Sequence, residues 1–320
     1  MIVRITCNNT YKAEEQTVNE MVFDKYGYSS PSSEREIICL ALSGNKVALK
    51  SYADLLFYRK IKCKNNYRKA FPLYLQAAGM TMGDEITCSG DGTPLAFYVI
   101  GYYLVNYRCE SILKNCEKID EIERMTRQER LELALNLALA TLSCCRAPAA
   151  VNLIGRIIKE KPELISRLDE ERSCEEFFED AAEEGYVYAC NNLAAKEADM
   201  IVKGAGDIDE HVNNFVHYLT ISADRYEPYA ANRLGLFYMI GEVRASNGET
   251  VHLHDYINIP FAKKYFNKAI VYPDANSAWA YFNLIKYFHK DYDADIDLLN
   301  EHMECIKELN PDVYDIAIEL

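Results

Sequence analysis

Apolar positions recur along this chain at helical spacing. In the segment AANRLGLFYMIG, Ala230 is followed by Leu234 and Gly235 at i+4 and i+5, Tyr238 at i+8 and Gly241 at i+11. Positions i, i+4 and i+8 share one helix face, and a Gly beside the bulky Leu lets a second helix approach the backbone closely. The last Gly suits a left-handed cap that ends the helix. A second pattern, CEEFFEDAAEEGYVYA, places Cys174, Phe178, the pair Ala181 and Ala182, and Gly185 at i, i+4, i+7/i+8 and i+11. Ala189 then opens another helix of the first type at i+15.

Both patterns repeat. The first returns as Ala48 with Tyr52 and Ala53, Ala96 with Ile100 and Gly101, Ala150 with Ile154 and Gly155, Ala189 with Leu193 and Ala194, and Ala278 with Phe282. The second returns as Ala70, Tyr74, Ala77 and Ala78; as Phe215, Leu219 and Ala223; and as Ala262, Phe266 and Ala269. An imperfect copy lies in LELALNLALATLSCC. Alternating helices of two kinds that each bury one face predict helical hairpins stacked in a row.

This arrangement resembles the Sel1-like repeat family, whose hairpins carry Ala…Leu-Gly…Tyr…Gly on the first helix and Ala…Tyr…Ala-Ala…Gly on the second. Cys174 and Phe215 depart from the family's Ala at the opening of the second helix. The opening alanines at 48, 96, 150, 189, 230 and 278 are 48, 54, 39, 41 and 48 residues apart. That is longer and less regular than a tetratricopeptide unit of about 34 residues. The resemblance implies an all-α fold, a right-handed α-solenoid (superhelix) of Sel1-like, tetratricopeptide-like hairpins. It also implies an adaptor role in protein complexes or signalling; some members of the family are associated with bacterial cell-envelope or host-interaction processes.

The repeats are expected over residues 44–290, with capping helices over 1–43 and a capping helix over 291–320. In SSPSSEREIICLALSG, Ser32 or Ser33 is the expected N-cap and Gly44 the terminator. MIVRIT has no identifiable strand partner and is read as irregular. CEKIDEIERMTRQERLE is charged and reads as an extension of a helix, and EVRASNGETVHLHDYINIP, with Asn247-Gly248 and Pro260, as a long loop. The tail DADIDLLNEHMECIKELNPDVYDIAIEL reads as one amphipathic helix.

Composition narrows the function classes. With 49% hydrophobic and 26% charged residues the chain can bury a core, and 14 Gly and 9 Pro are few for a protein of many tight turns. The formal charge of −14 repels phosphate backbones and anionic membranes, so neither nucleic acid nor membrane is an expected partner. No stretch reaches the length of a membrane span and the amino terminus lacks a secretion-signal pattern, which points to the cytoplasm. Eleven cysteines without a fixed period read as reduced thiols, several in small core positions.

Chemistry is sparse. His252-Leu253-His254-Asp255 has ligand-type side chains but no further His or CxxC group at a recognised spacing, and reads as a polar loop. Cys144 and Cys145 are adjacent on a helix, a poor arrangement for a disulfide. The glycines of MTMGDEITCSGDGTP form no phosphate-binding loop. Of the 24 tyrosines, Tyr74 and Tyr238 sit at template core positions; Tyr98, Tyr102 and Tyr281 could reach a groove, but core packing is the favoured reading. No cofactor and no metal is expected.

One pattern stands out: Asn152, Asn191 and Asn232 each follow the opening alanine of three successive repeats by two residues. Equivalent positions stack into a row, and asparagine offers both a donor and an acceptor to the backbone of an extended peptide. Arg156 and Arg233 are placed to read acidic groups nearby. The plainer alternative has these asparagines bridging adjacent helices or facing water. The expected function is a non-enzymatic scaffold binding a protein or peptide in a concave groove. The alternative is a hydrolase or small-molecule sensor whose site is built by the loop around His252 and His254.

Overall fold

The computed structural model describes residues 31–57, 66–82, 86–88, 92–106, 124–168, 172–274, 276–293 and 295–319. Its residues divide into two compact units, Met1–Phe177 and Phe178–Leu320. The all-α hairpin architecture expected from the spacing holds within each. Across both units, the alanines that open the first-type helices, Ala48, Ala96, Ala150, Ala189, Ala230 and Ala278, are all fully buried. These are the positions where a larger side chain would push neighbouring helices apart.

In the first unit, α1 (Pro31–Leu42), α2 (Lys46–Phe57) and α3 (Asn66–Ala77) pack in sequence. A short antiparallel hairpin follows, β1 (Met80–Met82) with β2 (Ile86–Cys88). Then come α4 (Pro94–Asn106), α5 (Arg127–Cys144) and α6 (Pro148–Glu160), where α4 contacts both α5 and α6. The template positions form the core: Tyr74 is fully buried and its hydroxyl donates to Asp54 Oδ1 at 2.7 Å. Gly101 shows why its position is small, since a Cβ there would meet Leu153 Cδ2 at 3.2 Å and the Ala134 carbonyl oxygen at 3.3 Å.

Helix α7 (Cys174–Glu183) contains the boundary between the units. Helices α8 (Val187–Lys203), α9 (Ile208–Asp224) and α10 (Pro228–Ile240) follow it in the second unit. After the hairpin β3 (Glu242–Arg244) and β4 (Thr250–His252) come α11 (Ile259–Ala269) and α12 (Ser277–Tyr287). The unit closes with α13 (His289–Asp293), α14 (Ile296–Leu309) and α15 (Pro311–Ala317). Helix α8 pairs with α9 and α10 with α11, while α10 also touches α12 and α12 packs on α14. Phe215, Leu234, Phe237 and Phe266, all at or beside template positions, are fully buried between them.

Local chemistry departs from several expectations. Helix α1 begins at Pro31, upstream of Ser32 and Ser33, because the fixed φ of proline suits a first helical turn; its end at Gly44 agrees, with φ +92°. The described end of the charged segment read as a helix extension runs into the first turns of α5. Thr126 caps α5 through a reciprocal pair with Glu129, while residues 116–123 and the MIVRIT segment lie outside the described residues.

The expected long loop after α10 holds a β-hairpin in which Val243, fully buried, pairs with Val251. Gly241, at φ +71°, redirects the chain into that hairpin and has no room for a side chain, since a Cβ would lie 2.5 Å from the Leu253 carbonyl oxygen. The carboxyl tail is two helices, not one. Pro311 cannot continue the backbone ladder of α14, and the Asn310 side chain caps α15 through the amide of Asp312.

Candidate functional site

The second unit holds an open cavity of about 640 Å³. Helix α10 presents Tyr229, Asn232, Arg233 and Leu236 to it, a spacing of i, i+3, i+4 and i+7 that lies on one face and leaves Ala230 and Leu234 to the core. Asn276 and the α12 residues Trp279, Asn283 and Lys286 line the cavity at a matching spacing, together with Phe282 and Tyr287. The hairpin supplies Glu242, Arg244 and its turn residues. Trp279 is 41% exposed and Tyr229 38%, so two large aromatic rings face solvent here.

Arg233 organises the wall. One guanidinium nitrogen donates to the Tyr229 hydroxyl at 2.9 Å and the other to the Arg244 carbonyl at 2.8 Å, tying α10 to the hairpin. Asp199 of α8 holds the turn from the other side by accepting from the Ser246 amide at 2.6 Å. Lys286 lies beside the rings of Phe282 and Tyr287, at 5.7 and 5.2 Å. Three cations, Arg233, Arg244 and Lys286, therefore line the cavity with one carboxylate, Glu242, in a chain of formal charge −14.

The asparagines have specific partners. Asn191 on α8 donates through Nδ2 to Glu227 Oε2 at 3.0 Å, and Asn232 on α10 accepts from Asn283 Nδ2 of α12 at 2.9 Å. Each thus links one first-type helix to the next, the bridging role that the sequence left open beside clamping. Of the two, Asn232 lines the cavity. Asn152 lies in the first unit and is buried at 5% exposure. Also there, Arg156 donates to Asn106 Oδ1 at 2.7 Å.

Glu227 caps α10, accepting from the amides of Tyr229 and Ala230, and its burial holds the carboxyl above its usual range against those hydrogen bonds. Tyr281 takes the core-packing reading over the groove one: it is 7% exposed, its ring 4.7 Å from that of His302. His252 and His254 are exposed, with stacked rings 6.1 Å apart, and His252 Nδ1 lies 3.1 Å from the Ile240 carbonyl oxygen. Among the described residues no cluster of three or more His, Cys, Asp or Glu side chains is placed to hold a metal.

Sequence reasoning missed Trp279, Asn283, Lys286 and Arg244. Asn283 stands five residues after Ala278, not two, so it falls outside the asparagine row. A signal was available in Trp279, the single tryptophan of the chain, adjacent to a template alanine.

No family model matches the chain, and no curated protein does. Among solved structures, the chain is similar to one described as the crystal structure of a Sel1 repeat protein from Oxalobacter formigenes. The likeness covers 95% of this chain and 99% of that one, at 13% identity and a TM-score of 0.44. No helix among the described residues is long and apolar enough to cross a membrane.

Proposed function

We propose that this chain is a non-enzymatic scaffold that binds a segment of another protein in the cavity of its second unit. The reading is carried by one observation, the exposed ring of Trp279 standing in an open cavity together with Tyr229, Arg233 and Asn232. Exposed aromatic and arginine side chains in a concavity are the usual anchors of protein recognition. A cavity of about 640 Å³ holds a few side chains of an inserted segment. The repeat architecture serves as a frame for this wall, in which Asn232 bridges to Asn283 and Arg233 braces the hairpin.

Affinity capture from the native cell with wild type and Trp279→Ala tests the proposal. Specific loss of one protein partner from the variant supports it. An identical partner set for both proteins overturns it, provided the variant keeps its helical circular dichroism.

A further inference from the structure

Resting on the reading just proposed, we infer that the segment received by this cavity is acidic, its carboxylates meeting Arg244 and Lys286 beside an apolar side chain seated on Trp279. The charge of the wall runs against the charge of the protein. Acidic residues outnumber basic ones 49 to 35 along the chain, yet the cavity gathers three cations with one carboxylate. Arg233 is committed to Tyr229 and to the hairpin backbone. Arg244 and Lys286 form no ion pair among the described residues, and both are exposed.

The two cations reach the cavity from different elements. Arg244 ends β3, inside the insertion that follows α10, and Lys286 lies on α12 seven residues after Trp279. Their convergence therefore depends on the hairpin, which Arg233 and Asp199 hold in place. Arginine offers a carboxylate a planar fork of donors, and lysine offers a compact charge. Trp279 and Phe282, with rings 5.7 Å apart, supply the apolar floor beside them. A long polyanion such as a nucleic acid strand would have to run from this small basic surface across an acidic protein, whereas a short peptide presents its carboxylates locally.

A random dodecapeptide display library, selected on the full chain and counter-selected on Trp279→Ala, tests this. The expected result is a set of Trp279-dependent peptides enriched in Asp and Glu. Synthetic versions should weaken about tenfold against Arg244→Gln/Lys286→Gln, or when Asn and Gln replace their acids. Pairs with free and amidated carboxyl ends separate a terminal carboxylate from side-chain ones. The single tryptophan allows each titration to be read by its fluorescence. Trp279-dependent peptides without acidic enrichment, or unaffected by the double charge variant, overturn this inference and leave the peptide-binding reading standing. Failure to select any Trp279-dependent peptide overturns both. Equal affinity for a dT12 oligonucleotide that competes with the peptides also overturns the choice of partner.

Discussion

A Cβ atom on Gly235 would stand 2.4 Å from the ring of Phe266. The glycine belongs to α10 and the phenylalanine to α11, and each occupies a fixed place in its helix pattern. The small residue of one helix and the large residue of its partner are thus two halves of one contact.

That contact makes a stability prediction. Gly235→Ala should destabilise the second unit by about 1–3 kcal/mol, because the buried ring cannot withdraw without disturbing its neighbours. Adding Phe266→Leu should recover part of the loss, so the two changes will not be additive in urea unfolding. Additive losses would mean that the clash is relieved elsewhere.

Arg233 is expected to act through the hairpin. Arg233→Met keeps the aliphatic stem but removes the donor to the Arg244 carbonyl. Amide exchange across β3 and β4 should quicken about tenfold, the scale of one charge-assisted hydrogen bond, while the α8 and α9 amides stay unchanged.

Glu227 makes stability depend on pH in an uncommon direction. Burial raises its folded pKa above the ordinary glutamate value, so its favourable protonated form contributes below that value and is lost as pH rises through the folded pKa. Relative to Glu227→Gln, the wild type should therefore lose stability in urea titrations as pH rises above about 4.3, the ordinary glutamate value. A gap independent of pH would contradict the assignment.

His302 should show the opposite slope. Burial lowers its pKa below the ordinary histidine value, and its Nδ1 lies 2.8 Å from the Tyr292 hydroxyl. Stability is full above the unfolded value and falls as pH drops through the folded one. Replacing His302 by Gln should flatten the decline in melting temperature below about pH 6.5.

Residues such as Ala230, Gly235 and Phe266 were legible in the sequence because burial imposes size at regular spacing, and the spacing survives without a partner in view. The sequence located Asn191 and Asn232 but not their ends, Glu227 and Asn283, since hydrogen-bond partners are chosen by the stacking of helices 36 and 51 residues apart. Val243 and Val251 form too brief an alternation to announce a hairpin; they pair because Gly241 turns the chain and α8 and α10 cover β3.

By itself, then, the sequence determined the helical repeat, its small and large core positions and several of the glycines that separate its elements. These are local properties, written in periodicity and in backbone freedom. Tertiary structure alone decided that Arg244, Trp279 and Lys286 line one cavity with Arg233. Their meeting requires three elements to stack at one distance, a relation that no spacing along a single helix encodes.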